Sequence, residues 1–136
     1  MGFLQSKDEV KVFINDEFPV FMQAIDTIEI DESRCRFTAR SISSVFPNYK
    51  NTSGREQILC LLIDFAVRLL AYNSTGLTHI NSENIVYLEK LDCDELVVDV
   101  KRIDTSISDN ASTYQATVSD KNGTEIALST ASQIIE

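Results

Sequence analysis

Tryptophan is absent from the 136 residues, and histidine occurs once, cysteine three times, proline twice and glycine four times. The single histidine, His79, excludes every zinc motif that requires two histidines. Cys35, Cys60 and Cys93 are widely spaced and form no CxxC pair, so they indicate neither a metal site nor a disulfide framework. A chain of this length buries enough surface to fold without such staples. We therefore expect three reduced thiols in a cytoplasmic protein.

Positive charge is also scarce, because 12 Lys and Arg residues stand against 21 Asp and Glu residues, for a net charge of −9. Apart from Lys101-Arg102 the basic residues are scattered singly, which argues against nucleic acid as a partner, since phosphate binding needs a clustered basic surface. The N-terminus has no basic region followed by an apolar core, so we expect no secretory signal. The longest apolar run, Ile58 to Leu70, is interrupted by Asp64 and Arg68. It is too short to cross a bilayer, and we expect no membrane span.

The N-terminal third of the sequence predicts a short helix and then a hairpin. Ser6 with Glu9 forms a capping-box pattern for a helix over about residues 6–17, which Pro19 ends because proline lacks the amide that a continuing helix needs. Val20 to Ile30 and Arg34 to Ile42 alternate apolar and polar residues and predict two antiparallel strands.

The middle of the sequence predicts one long helix, Gly54 to Tyr72, after a loop over Ser43 to Ser53. Apolar residues occupy nearly every face of this helix, which is typical of a helix buried on nearly all sides. Asn122-Gly123 predicts a tight hairpin, because both residues accept positive φ. Four further strands are predicted after the helix: Ile80 to Leu88, Glu95 to Thr105, Ser112 to Ser119 and Glu125 to Ile135. The chain is therefore expected to form one α+β domain over residues 1–136.

Two segments after the helix carry a family resemblance. Asn84-Ile85-Val86-Tyr87-Leu88 is an apolar stretch that ends in Tyr-Leu, and Val118 to Ala127 follows the pattern V-x-D-x-x-G-x-x-I-A. With the order of elements from Val20 to Ile135, they resemble the hotdog fold, in which a long antiparallel sheet wraps around one central helix. The closest branch is the small acyl-CoA thioesterases of the phenylacetate-pathway type.

The resemblance implies a site at the start of the central helix. In that branch an Asn and then His-Gly-Gly precede an Asp that lies nine residues after the His. Here Arg55-Glu56-Gln57 stands in place of His-Gly-Gly, and Asp64 matches the catalytic carboxylate. Asn48 or Asn51 lies near the family's Asn. By resemblance, Asp64 activates a water, helix-start amides near Glu56 and Gln57 hold the oxyanion, and Gln57 or an Asn orients the ligand.

Each candidate residue also has a structural interpretation. Asp64 can pair with Arg68 at i+4, an order that stabilises helices. Arg55 is either a contact for a phosphate or carboxylate of the ligand or a solvated surface group. Tyr49 is a candidate ligand contact, with packing as the favoured alternative. Cys60 is interpreted as a core thiol, because its neighbours are apolar and no histidine stands near it.

The leading hypothesis is a hydrolase of acyl-CoA or acyl-carrier thioesters that needs no cofactor. The alternative is a non-catalytic protein that binds the acyl thioester, which the missing His-Gly-Gly favours. A hydratase or dehydratase is disfavoured, because those hotdog enzymes use a His with an acid. The resemblance implies a homodimer or a dimer of dimers, with Asp64 of one protomer facing the helix start of the other.

Overall fold

The computed structural model describes residue 4 and residues 6–50, 52–88, 94–103 and 111–134, and only the backbone of residues 48, 50, 52 and 53. In these residues a long helix lies against one face of an antiparallel sheet. The helices are α1 (Lys7–Glu17), α2 (Ile42–Val45) and α3 (Thr52–Thr75), and the strands are β1 (Ile25–Ile30), β2 (Arg34–Ala39), β3 (Ser82–Tyr87), β4 (Leu96–Ile103), β5 (Ala111–Asp120) and β6 (Glu125–Ile134).

The described strands form one sheet in the order β1-β2-β4-β5-β6-β3, and each neighbouring pair is antiparallel. The alternation predicted from the sequence sets which face is apolar. Phe37, Val98 and Val118 lie side by side on β2, β4 and β5 and are almost fully buried. Because successive strand residues point to opposite faces, this register lines the sheet face that meets α3 with apolar side chains. The strand β3 forms one edge of the sheet.

The central helix is longer at both ends than the sequence predicted. It begins at Thr52 instead of Gly54 and ends at Thr75 instead of Tyr72. The extra C-terminal turn is held by Asn73, whose buried side chain accepts a hydrogen bond from the backbone of Leu4 and donates one to that of Asp31, each at 2.7 Å. Gly76 then ends the helix with a φ of 79°, as expected of a glycine after the last turn.

Other boundaries also differ from the sequence prediction. Pro19–Gln23 forms a 3-10 helix and not the start of a strand, because it places Phe21 in the core, where its ring stacks on that of Phe65 at 4.6 Å. The second strand ends at Ala39 and not at Ile42, because Ile42 begins α2. The rest of α2 and a second 3-10 helix, Pro47–Lys50, lie in the segment predicted as a loop. The turn at Asn122-Gly123 is confirmed, although among the described residues there only Gly123 has a positive φ. Residues 92, 93 and 108–110, in the connections between the predicted strands that follow the helix, lie outside the described residues.

In the described part of the chain, one helix is long and apolar enough to cross a membrane on length and composition alone. This stretch, Gly54–Thr75, is longer than the run Ile58 to Leu70 on which the sequence expectation rested, because it also includes residues 54–57 and 71–75. Of its most apolar window, 61% is buried inside the protein. That burial is typical of a core helix.

A buried polar group ties the end of α3 to the sheet. The side chain of Gln133 is fully buried, and its oxygen accepts a hydrogen bond from the hydroxyl of Tyr114 at 2.8 Å. Its amide donates to the backbone carbonyl of Leu77 at 2.9 Å, and the side-chain oxygen of Gln133 also accepts from the hydroxyl of Thr75 at 3.3 Å. Buried polar groups are costly unless they are paired in this way.

We expect Gln133→Leu to lower the free energy of unfolding by about 2–3 kcal/mol, because the buried Tyr114 hydroxyl loses the acceptor of its proton and the Leu77 carbonyl loses its amide donor. Chemical denaturation followed by circular dichroism measures this loss. Gln115→Leu is the matched control, since Gln115 is exposed, and it should change the stability by less than about 0.5 kcal/mol. Equal effects of the two changes would contradict the structural role of Gln133.

Candidate active site

The sheet leaves one stripe of α3 uncovered. Gln57, Cys60, Leu61, Asp64 and Arg68 follow one another at helical spacing and are exposed or half-buried, while the residues between them are mostly buried. The expectation of a helix buried on nearly all sides is therefore wrong along this stripe. The reason is that β3 is the last strand of the described sheet, and no described strand covers this side of the helix.

A shallow, mainly apolar recess of about 570 Å³ lies at the N-terminal half of this stripe. The hydroxyl of Tyr87 on β3 donates to the backbone carbonyl of Glu56 at 3.1 Å, so the edge strand and the helix share the wall of the recess. The structure thus brings together two of the residues singled out in the sequence. The recess is lined by Glu56, Gln57, Cys60, Leu61 and Tyr87.

The interpretation of Cys60 as a core thiol is wrong. Its side chain is exposed and lines the recess. Burial of its inner part and the nearby carboxylates of Glu83 and Asp64 raise the pKa of the thiol, so it is not an activated nucleophile. Cys35, in contrast, is fully buried in the core. Cys93 lies outside the described residues.

Arg55, in the first turn of α3, and Tyr49, before the helix, both make structural contacts. Arg55 donates from Nε to the backbone carbonyl of Tyr49 at 2.9 Å, so it ties the preceding 3-10 helix to the first turns of α3. Tyr49 is 3% exposed and lies in the core, not among the residues that line the recess, as the packing interpretation expects. Asn51 lies outside the described residues, and only the backbone of Asn48 is described.

The earlier start of α3 moves its free amides. In an α-helix each backbone N–H bonds to the carbonyl four residues earlier, and only the first four amides lack such a partner. With the helix beginning at Thr52, the described amides that lack such a partner are those of residues 52–54, and the amides of Glu56 and Gln57 belong to the hydrogen-bonded part of the helix. The free amides therefore lie about one turn before Glu56 and Gln57, and their use as oxyanion donors stays a prediction.

Asp64 forms the ion pair that its spacing predicts. Its Oδ2 accepts from Nε of Arg68 at 2.8 Å, and Nη1 of Arg68 donates to the backbone carbonyl of Thr78 at 3.0 Å. Both charged side chains are 31% exposed. The intrahelical pair is thus confirmed. Asp64 also lies on the uncovered stripe, one helical turn after Cys60, which lines the recess.

A second carboxyl group, Glu83, was missed at the level of sequence. It projects from β3 toward α3, where burial and a hydrogen bond with the carboxyl of Asp64 raise its pKa to about 7. Its Oε1 is buried without a hydrogen-bond partner among the described residues. Strand alternation was the available signal, because it places Glu83 on the same face as Ile85 and Tyr87. Among the described residues no group of three His, Cys, Asp or Glu side chains could hold a metal ion.

The sequence matches no known protein family and no curated protein. Solved structures do resemble the fold. Zebrafish thioesterase superfamily member 2 is 12% identical with a TM-score of 0.79 and covers 97% of this chain and 99% of its own. The PaaI protein from the phenylacetic acid degradation operon of Escherichia coli is 18% identical with a TM-score of 0.67, over 91% and 92%.

A third neighbour is a Streptococcus mutans protein, smu.793, whose structure was determined with bound acetyl CoA. It is 15% identical with a TM-score of 0.70, over 82% of this chain and 88% of its own. At such identities the likeness concerns the fold. The predicted hotdog fold is therefore confirmed, and its structural neighbours are thioesterase-superfamily proteins.

The raised pKa of Glu83 has a consequence for stability. The folded protein keeps this proton up to a pH of about 7, whereas an unfolded chain releases it near the ordinary value of 4.5. Between these values the unfolded state is favoured by ionisation, so the contribution of Glu83 to stability falls as the pH rises from 4.5 to 7 and is constant above that.

We expect the melting temperature of Glu83→Gln to rise relative to the parent by a few degrees as the pH is raised from 4.5 to 7.5, because the amide cannot ionise. Differential scanning calorimetry across this range measures the difference. Glu125→Gln, the same change at an exposed residue, should follow the parent at every pH. Parallel curves for the parent and Glu83→Gln would contradict the shifted ionisation.

Proposed function

We propose that this hotdog-fold protein binds acyl-CoA or acyl-carrier thioesters in the recess beside α3 and hydrolyses them, with Asp64 as the general base. The observation that carries the proposal is that a carboxylate and an apolar recess share the one uncovered stripe of an otherwise enclosed helix. The structural neighbours support it, since they are thioesterase-superfamily proteins and one of them was solved with acetyl CoA.

In this reaction a water attacks the thioester carbonyl while Asp64 takes its proton. The tetrahedral oxyanion that forms then expels the thiolate as the carbon–sulfur bond breaks, and the thiolate recovers a proton. A helix start is suited to the oxyanion, because its free amides point outward and carry partial positive charge. The exposed side-chain amide of Gln57 is the further donor available in the recess.

One protomer does not hold both parts of this machinery at a single carbonyl. Gly54 and Asp64 are ten residues apart on α3, which corresponds to roughly 15 Å along a helix. A thioester carbonyl contacts groups within about 3 Å of itself. The proposed site is therefore formed by two copies, with Asp64 of one protomer facing the helix start of its partner.

The edge of the sheet offers the surface for such a pair. The strand β3 has no neighbour on its outer side among the described strands. Exposed edges pair readily with another strand. Large apolar side chains are also exposed beside this edge: Leu61, Val86, Tyr87, Leu88 and Leu128 are 49%, 53%, 39%, 44% and 37% exposed. We propose that a second copy of the chain pairs along β3 and covers them.

Asp64→Asn should reduce kcat for acyl-CoA hydrolysis by about 10²–10⁴-fold, since the amide cannot accept the proton of the attacking water. A panel of acyl-CoA chain lengths with a thiol reagent measures the rate. Asp99→Asn is the matched control, because Asp99 also pairs with an arginine, Arg34, at 2.6 Å. Asp99 lies on the sheet face away from α3. Full activity of Asp64→Asn would contradict the role of Asp64.

Leu61→Lys should convert a dimer into a monomer in light scattering, because it places a charge in the apolar surface of the proposed seam. Leu77→Lys is the control, since Leu77 is similarly exposed, at 44%, but is not among the residues that line the recess. A parent protein that is monomeric at all concentrations would overturn the two-copy site, and a dimer that persists in Leu61→Lys would overturn this choice of surface.

The second candidate is a protein that binds the acyl thioester without hydrolysing it. The observations that favour it are the ion pair of Asp64 with Arg68 and the presence of Arg55-Glu56-Gln57 where His-Gly-Gly was expected. Saturable binding of acyl-CoA by calorimetry, with no turnover of any chain length, would establish this function in place of hydrolysis.

A further inference from the structure

We propose that Glu83 is a positioning residue for Asp64 and that its protonated carboxyl group donates a hydrogen bond to the carboxylate of Asp64. Loss of this proton as the pH rises then switches the site off. This inference rests on the proposed function, because it concerns the regulation of the same site. Glu83 does not touch the reacting atoms in this scheme. It acts through Asp64, and its proton stays within the pair during turnover.

The position of Glu83 follows from the register of the edge strand. On β6 the residue opposite it is Ala131, which is small and cannot compete for its carboxyl group. Tyr87 lies on the same strand face and bonds to the backbone of Glu56 on α3 at 3.1 Å. Glu83 lies four residues before Tyr87, about 13 Å along the strand. On the helix the same distance is about nine residues, which brings Glu83 level with Asp64. One of its oxygens, Oε1, is buried without a hydrogen-bond partner among the described residues. An ionised carboxylate is poorly stabilised in such a place, whereas a neutral acid carries no charge and has a proton to donate to a neighbouring acceptor.

The charge balance among the groups around Glu83 also favours a protonated Glu83. The described ionisable groups that face Glu83 from α3 are Asp64, Arg68 and Cys60. On β3 itself Tyr87 lies on the same face, and β6 presents the non-ionisable Ala131. Arg68 already binds Oδ2 of Asp64 at 2.8 Å and is anchored to a backbone carbonyl on its other side. One positive charge, on Arg68, therefore faces two carboxyl groups, those of Asp64 and Glu83. A proton on Glu83 makes the net charge of the three groups zero.

The consequence is a site with two states. With its proton, Glu83 holds one side of the Asp64 carboxylate while Arg68 holds the other, so the carboxylate keeps one orientation on the uncovered stripe. Without the proton, two like charges face each other and both compete for Arg68. Asp64 is then drawn out of its orientation. A lone general base gives a rate that rises with pH to a plateau, whereas this pair gives a rate that falls again above neutral pH.

The test is the pH dependence of kcat for the most active acyl-CoA, measured from pH 5.5 to 9. In the parent we expect kcat to fall by about tenfold for each pH unit above the ionisation of Glu83. In Glu83→Gln this falling limb should disappear, because the amide donates to Asp64 at every pH, and KM should stay unchanged. Glu125→Gln, at an exposed residue, should keep the parent profile.

Glu83→Ala separates positioning from folding. It should lower kcat across the whole range while its melting temperature, measured in the same buffers, shows that the protein is folded. Retention of the parent limb in Glu83→Gln, or of the parent kcat in a folded Glu83→Ala, overturns the positioning role while leaving the proposed hydrolysis intact.

A readout that does not depend on activity distinguishes the two failures. Carbon-13 NMR of labelled glutamate carboxyls should show Glu83 titrating at a pH of about 7. In Asp64→Asn the midpoint should move toward ordinary values. If no thioester is hydrolysed at any pH, the proposed function and the positioning role fail together, and the titration then decides whether the carboxyl pair shares a proton. A Glu83 that titrates at an ordinary glutamate pH overturns the pair itself.

Discussion

Phe65 lies at the middle of the central helix with aromatic rings on three sides. Phe21 stacks on it at 4.6 Å, and Phe18 and Phe37 approach it at 5.1 and 5.5 Å. These rings come from the segment after α1 and from the second strand, so one side chain joins the N-terminal region, the sheet and the helix. Aromatic packing of this kind contributes both buried area and ring geometry. The orientation of α3 about its own axis depends on this cluster, and with it the choice of residues that remain uncovered.

The uncovered stripe is the other half of the same constraint. One face of a sheet covers only part of the circumference of a helix, and among the described strands the sheet ends at β3. Polar groups on the remaining face stay partly hydrated, as the 31% exposure of Asp64 and Arg68 shows. An acid in this position avoids the full cost of burial and still sits next to apolar walls. Proposed catalysis and proposed dimer formation therefore use the same gap in the sheet.

Local patterns predicted much of this arrangement. The alternation of Cys35, Phe37 and Ala39 predicted the buried face of β2, and the i+4 spacing predicted the pair of Asp64 with Arg68.

Features that depend on distant parts of the chain were missed. The environment of Glu83 requires knowledge of which helix residue faces the edge strand, and the exposure of Cys60 depends on where the sheet ends. The last turn of the helix depends on Asn73, whose partners are more than 40 residues away. Spacing along a sequence carries no direct information on such contacts.

The register of β3 determines which side chain of this strand faces Asp64. Asn81 holds this register, since its backbone donates to Ser132 at 2.9 Å and its side chain accepts from Ile134 at 2.7 Å. Side chains alternate along a strand, so inserting or deleting one residue before Glu83 would turn it outward and bring Asn84 or Ser82 to face Asp64. The insertion or deletion of one codon before Glu83 would thus replace an ionisable neighbour of Asp64 by an amide or a hydroxyl. In the proposed scheme such a change would remove the titrating neighbour of Asp64 without any substitution on the helix.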